Sequence, residues 1–168
     1  MKKVFLLLSV MALTASCDTM YRSLTGLYPD THYFIESDNP FEVVWSRIID
    51  YFAINGIPIT TIDKSSGLIV SSKVSFINYY SIEYGGKPAN SKAYVVIPDM
   101  GPFFTGPTNN WTMVGDWNIR VKENDGKTVI NLNLVNLDCY YLTSYGMTKV
   151  PIRSTGVFEQ GLLKYISE

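Results

Sequence analysis

Side chains that could carry covalent or acid–base chemistry are few in this sequence. Its 168 residues include two cysteines, Cys17 after an apolar N-terminal run and Cys139 in an apolar stretch, and one histidine, His32. His32 belongs to a predicted tether, so we expect no histidine-based triad inside the domain and no histidine that could activate Cys139. A zinc site needs closely spaced pairs of cysteines or histidines, which the sequence does not contain. Calcium-loop, phosphate-loop, dinucleotide and serine-hydrolase motifs are absent from the sequence. The sequence therefore predicts no metal, no cofactor and no enzymatic activity.

Aspartates are the remaining acid–base candidates. Asp63, Asp99, Asp116 and Asp125 could in principle supply a carboxylate pair of the glycosidase kind. Each aspartate also has a structural interpretation. Asp63 and Asp125 belong to glycine-containing turns and Asp99 follows a proline, whereas Asp116 follows Gly115 where a β-bulge would fit. A carboxylate-based hydrolase is therefore the least favoured function.

The chemistry that the local sequence favours most is acylation of the Cys17 thiol. A cationic start at 1–3, an apolar run at 4–13 and small residues before the cysteine have the order of a secretory signal peptide. The segment 13–17, LTASC, resembles the lipobox of bacterial lipoproteins, in which the cysteine receives a diacylglyceryl group and becomes the mature N-terminus. The resemblance implies a lipoprotein signal peptide at 1–16 and a palmitate-type membrane anchor on Cys17. A plain signal peptide that ends beside a cysteine is the alternative.

Such an anchor implies a place in the bacterial cell envelope, on the outer or inner membrane, facing the periplasm or the cell surface. Asp18 resembles the inner-membrane retention signal of enteric bacteria, but other bacteria do not use it, so both membranes stay open. Without residues 1–16, 12 basic and 15 acidic residues give a net charge of −3. No basic cluster is available for phosphates, so we expect no nucleic-acid partner.

Aromatic side chains in two irregular stretches are the candidate binding residues. They are Phe103, Phe104, Trp111, Tyr140, Tyr141 and Tyr145. Tyrosine and tryptophan on loops supply a large contact area, as at protein interfaces. These rings could instead fold back over the second face of a sheet, because exposed apolar patches are rare on monomers. We expect an envelope protein as partner, with a glycan or other small ligand as the alternative.

Two helices and five strands are predicted to position these residues. An apolar stripe at helical spacing follows Pro40 and ends at Asn55-Gly56, and a closing helix follows Ser154 or Thr155. The strands are expected at 57–62, 68–76, 93–97, 111–122 and 127–140, and the last two form a hairpin. Irregular loops are expected at 78–91, 98–110 and 140–153.

These elements predict one domain behind a linker. We expect a lipidated cysteine and flexible tether at 17–37 and a single α+β domain at 38–168. The hairpin alternates apolar and polar residues, which is typical of an antiparallel sheet covered on one side. The predicted architecture has two layers, with a five-stranded antiparallel sheet and the N-terminal and C-terminal helices on one of its faces.

Three segments resemble the opening of a helix-grip domain. They are FEVVW at 41–45, GIPI at 56–59 and IDKSSGLI at 62–69. Such domains occur in envelope lipoproteins of the NlpB/DapX type, which is the family of outer-membrane assembly lipoprotein C. The resemblance implies a helix-grip fold and a non-enzymatic binding, assembly or accessory role in the cell envelope.

Overall fold

The computed structural model describes residues 21–101, 110–144 and 146–168. Within these ranges the chain forms two helices, α1 (Phe41–Ile54) and α2 (Val157–Ser167). It also forms ten strands, which are β1 (His32–Ser37), β2 (Thr61–Asp63), β3 (Leu68–Ser75), β4 (Tyr80–Tyr84), β5 (Lys87–Pro88), β6 (Val95–Ile97), β7 (Trp111–Asn124), β8 (Lys127–Thr143), β9 (Gly146–Lys149) and β10 (Arg153–Ser154).

The larger sheet is antiparallel and has six strands. Its order is β1-β8-β7-β3-β2, and β9 pairs with β8 at the end that β1 does not reach. The predicted hairpin is confirmed, because β7 and β8 pair along almost their whole length. Its turn, Asp125-Gly126, has positive φ angles of 49° and 79° at these residues, which an Asp-Gly pair accommodates well.

The smaller sheet has four strands in the order β10-β6-β4-β5. Strands β4 and β6 are parallel, with Tyr80 opposite Val95 and Ile82 opposite Ile97. All three residues of β6 are buried, as expected for a strand with neighbours on both sides and a core beneath it.

The predicted two-layer, helix-grip-like α+β architecture with a five-stranded sheet is therefore wrong. The chain is mostly β, with sheets of six and four strands. The ranges 78–91 and 140–153, predicted as loops, contain β4, β5, the end of β8, β9 and the start of β10. Most of these strands have two to five residues, too short for a periodic pattern, and the smaller sheet pairs strands from separate parts of the chain.

The predicted tether also differs from the structure. Residues His32–Ser37, expected to belong to it, form β1 and pair with residues 128–133 of β8. The partner strand lies about a hundred residues away, so no local turn signal announces this pairing. The folded part of the chain consequently begins well before residue 38.

Both predicted helices are present. The buried face of α1 consists of Val44, Trp45, Ile48 and Phe52, as its spacing predicts. Neither Asp38 nor Asn39 caps α1 through its side chain, and Pro40 occupies the position just before the first turn. Neither described helix has the length and apolar character that crossing a bilayer would require.

Trp117 of β7 lies at the centre of the core. Its ring stacks on Phe158 of α2 at a centroid distance of 4.0 Å, and it meets the rings of Phe52, Phe76 and Tyr94 edge-on. Side chains from both helices and both sheets thus belong to one hydrophobic cluster. Aromatic pairs in these geometries add to the stability that burial provides.

The larger sheet has β-bulges in neighbouring strands near the middle of its length. The predicted bulge at Gly115–Asp116 is confirmed, and the β3 partner strand is irregular beside it. The Asp116 carboxylate accepts hydrogen bonds from the Lys73 backbone N–H and the Asn136 amide, both at 2.6 Å. Lys73 and Asn136 have φ angles of 54° and 52°, unusual for residues with a side chain. Bulges of this kind bend a strand and increase its local twist.

Candidate functional site

Two of the predicted aromatic residues close the end of the larger sheet. Trp111 and Tyr141 are opposite each other in β7 and β8, and their ring centroids are 4.7 Å apart. Trp111 is buried and belongs to the hydrophobic core, and Tyr141 packs against that core. These two rings therefore serve packing, which is the alternative that the sequence left open for them.

Tyr140 precedes Tyr141 in β8, so its side chain lies on the other face of the strand, where it is half-buried. The Lys149 ammonium is 5.7 Å from its ring centroid and forms an ion pair with Asp138 at 2.6 Å. The hydrogen bond with Asp138, together with its charge, raises the pKa of Lys149. Of the other predicted site residues, Cys17, Phe103, Phe104 and Tyr145 lie outside the described residues.

The first described residues of the chain contact the domain beside β9, at the end of the larger sheet that carries Trp111 and Tyr141. The Tyr21 hydroxyl donates a hydrogen bond to the Lys149 carbonyl at 3.2 Å, and the Tyr21 ring packs against the core. The Arg22 N–H donates to the Asp99 carbonyl at 3.4 Å. We call Tyr21, Arg22, Asp99 and Lys149 the N-terminal junction. It brings the start of the described chain beside β9.

A buried carboxylate fixes the segment that follows the junction. Glu83 of β4 accepts hydrogen bonds from the Thr25 N–H and hydroxyl at 2.9–3.1 Å, from the Gly26 N–H at 2.7 Å and from the Tyr28 hydroxyl at 2.7 Å. Burial alone would raise the pKa of Glu83, but these bonds outweigh it and the pKa is lowered. We call these four residues the Glu83 latch. Sequence reasoning missed it.

A second buried carboxylate lies in the core. The Oε1 atom of Glu159 accepts hydrogen bonds from the Ser154 hydroxyl at 3.0 Å and the Trp117 ring N–H at 3.4 Å, whereas its Oε2 has no partner among the described residues. Burial raises the pKa of Glu159. The buried Tyr33 hydroxyl also has no partner in the described chain, and burial raises its pKa to about 12.

Exposed apolar side chains of the larger sheet occur near the end of β8 and on β1, among other places. In the β8–β9 pair, Leu142 and Met147 are opposite each other and are 50% and 64% exposed. On β1, Phe34 is 58% exposed. Strand β1 is an outer strand of the larger sheet, and within the described ranges its backbone pairs with β8 alone. Half of its N–H and C=O groups therefore point away from the sheet.

The four candidate aspartates have structural roles. Asp63 accepts hydrogen bonds from Ser65 and Ser66, which lower its pKa, and Asp99 accepts one from the Gly101 N–H at 2.8 Å. Asp116 holds the bulges and Asp125 forms the hairpin turn. Among the described residues, no three histidine, cysteine, aspartate or glutamate side chains are grouped as a metal would require.

Cys139 of β8 is fully buried. Burial raises the pKa of its thiol to about 12. The thiol is therefore protonated at neutral pH, whereas a cysteine nucleophile must be a thiolate.

Comparisons with known proteins identify no relative, since no protein-family model and no curated protein matches the chain. The resemblance to envelope assembly lipoproteins therefore stays a prediction, and the function must be argued from the chain's own residues.

Proposed function

We propose that this protein is a lipid-anchored, non-enzymatic accessory protein of the bacterial cell envelope that binds another envelope protein through the free edge of β1. The anchor is the acylated Cys17 that the N-terminal sequence predicts. The observation that carries the binding role is an edge of β1 that no strand of the described residues covers, with Phe34 exposed on it.

An open strand edge can bind an extended segment of a partner. Its outward N–H and C=O groups provide main-chain hydrogen bonds, and the side chains beside it provide selectivity. On β1 these side chains are His32, Phe34 and Glu36, all of which are exposed. Glu36 forms an ion pair with Lys127 at 3.5 Å, so one end of the edge is charged and its centre is aromatic. The charged end discourages indiscriminate strand pairing.

The position of this edge suits an anchored protein. Strand β1 pairs with residues 128–133 of β8. Strand β9 pairs with residues 140–143 of β8, and the N-terminal junction includes Lys149 of β9. The seven steps along β8 from Asn133 to Tyr140 span at most about 23 Å, because the bulge beside Asn136 bends the strand. An anchor attached at the β9 end therefore leaves the β1 edge accessible to a partner in the aqueous phase.

Site-specific photo-crosslinking on intact cells tests the binding role. A photoreactive amino acid replaces Phe34, and a matched control replaces Ile54, which is 71% exposed on α1. We expect a discrete protein adduct at position 34 that the control does not give. Equal labelling at both positions, or an adduct with glycan in place of protein, would contradict the proposal.

Mass spectrometry of the mature protein tests the anchor separately. We expect an N-terminal Cys17 that carries acyl chains, and a Cys17→Ser variant that is no longer processed at this position. An unmodified Cys17 thiol in the mature protein would contradict the proposed attachment.

A further inference from the structure

We propose that the exposed Leu142 and Met147 side chains of the β8–β9 pair rest on the surface of the bilayer and fix the orientation of the domain. This inference rests on the proposed acylation of Cys17. It adds a second contact with the membrane and predicts which end of the domain faces the lipid.

The first support is the short chain between the anchor and the fold. Tyr21 is attached to the Lys149 carbonyl and packs against the core. Tyr21 is four positions after Cys17, so the two Cα atoms lie at most about 14 Å apart whatever the intervening conformation. The Glu83 latch holds Thr25, Gly26 and Tyr28 directly downstream. The reach from the anchor is therefore set by these few residues rather than by a tether to residue 37.

The second support is the distance from this attachment to the two exposed side chains. Lys149 and Met147 are two residues apart in β9, which corresponds to about 7 Å along the strand. Leu142 lies opposite Met147, so both exposed side chains are within the reach of an anchored chain. Apolar side chains held this close to a lipid anchor can enter the headgroup region of the bilayer beside the acyl chains.

The third support is that other exposed apolar side chains of the larger sheet are distant from the junction. Phe34 is opposite Asn131, nine residues along β8 from Tyr140, which corresponds to at most about 30 Å measured along the bent strand. Ile62 is opposite Ile69, which pairs with Ile119, eight residues from Trp111, or at most about 26 Å. Within the larger sheet, a short tether therefore selects the Leu142–Met147 pair. Leu27 and Tyr84 are also exposed, at 103% and 81%, but they belong to the segment and the strand of the Glu83 latch and not to this sheet.

The test uses the full-length, lipidated protein in vesicles of phosphatidylethanolamine and phosphatidylglycerol. Met147→Cys carries an environment-sensitive fluorophore, and Ile62→Cys, 53% exposed before substitution, is the matched control. The buried, protonated Cys139 thiol does not compete for the label. We expect quenching by spin-labelled lipid to be severalfold stronger at position 147 than at position 62.

A lengthened tether provides the second arm. Insertion of twelve Gly/Ser residues after Asp18 adds a flexible chain with a root-mean-square span of about 20 Å. We expect the quenching at position 147 to fall toward that at position 62, while the vesicle-bound fraction stays unchanged. Unchanged quenching would overturn the role of the short tether.

The outcomes separate this inference from the proposed function. Equal quenching at positions 147 and 62 in protein that is acylated and vesicle-bound would overturn the docking of the hairpin and leave the anchor intact. Absence of acyl chains from Cys17 by mass spectrometry would overturn the anchor and the inference that rests on it. The photo-crosslink at Phe34 is independent of both results.

Discussion

Glu83 and Glu159 are both buried, but their surroundings shift the pKa of the carboxyl group in opposite directions. The N-terminal segment supplies Glu83 with backbone and hydroxyl donors on both oxygens, and the pKa is lowered. Glu159 receives two donors on one oxygen and none from the described chain on the other, and its pKa is raised. Glu159 is also the more deeply buried of the two, so the depth of burial and the number of donors together decide which charge state is favoured.

The comparison also indicates opposite dependences of stability on pH. Because the folded pKa of Glu83 is below its ordinary 4.5, its stabilising contribution is present above pH 4.5 and is lost as the pH falls through the folded value. The folded pKa of Glu159 is above 4.5, so its contribution is complete below pH 4.5 and is lost as the pH rises through the folded value. Acid should therefore weaken the Glu83 latch, and alkali should weaken the core around Glu159.

The largest expected effect is that of Glu83→Ala. The substitution leaves the Thr25 N–H, the Gly26 N–H and the Tyr28 hydroxyl without their acceptor, and we expect the free energy of unfolding to fall by about 3 kcal/mol. Urea denaturation measures the loss, and hydrogen exchange should show faster exchange at residues 25 and 26. Glu36→Ala, at an exposed ion pair, is the control and should cost less than about 1 kcal/mol. If both variants lose the same free energy of unfolding, the hydrogen bonds of Glu83 stabilise the fold no more than an exposed ion pair does.

Gly26→Ala should break the latch without removing its charge. A Cβ atom on Gly26 would lie 2.3 Å from the Gly86 carbonyl oxygen, so the segment must shift away from β4. We expect a loss of about 2 kcal/mol in the free energy of unfolding. Ser23→Ala, at an exposed position in the same segment, should leave stability nearly unchanged. A tolerated Gly26→Ala would show that the latch geometry is not tightly fixed.

Tyr28→Phe and Tyr33→Phe compare a satisfied hydroxyl with an unpartnered one. Loss of the Tyr28 hydrogen bond to a buried carboxylate should lower the free energy of unfolding by about 1.5 kcal/mol. Tyr33→Phe removes a buried hydroxyl that has no partner in the described chain, so stability should stay the same or rise slightly. Thermal unfolding of the two variants measures both effects. A large loss in Tyr33→Phe would indicate that a bound water or ligand occupies this position.

Glu159→Gln has the smallest expected effect and the sharpest pH dependence. Because the ionised form is disfavoured by burial, a neutral amide should raise the free energy of unfolding by on the order of 1 kcal/mol at pH 8 and leave it unchanged at pH 4. Denaturation across this pH range measures the difference from the wild type. If the variant and the wild type have parallel pH profiles, Glu159 is not the residue that titrates.

For the site, the sequence predicted aromatic loops as the binding surface, and the structure assigns Trp111 and Tyr141 to packing at the end of the larger sheet. The exposed Phe34 was missed because residues 17–37 carry no periodic pattern that reveals an edge strand. Met147 was missed for a related reason, since β9 has four residues and its exposure depends on pairing with the end of β8. Exposure of a single side chain is decided by neighbours that sequence spacing does not specify.

Local patterns determined several parts of this protein by themselves. The apolar stripe of α1, the alternation in β7 and β8, the Asp125-Gly126 turn and the bulge at Gly115 each depend on neighbouring residues, so the sequence alone was sufficient for them. Only the tertiary structure decided the smaller sheet, the pairing of β1 with β8, and the opposite environments of Glu83 and Glu159. The physical reason is that periodicity and turn geometry act within a few residues, whereas strand pairing and the solvation of a buried charge depend on groups brought together from distant parts of the chain.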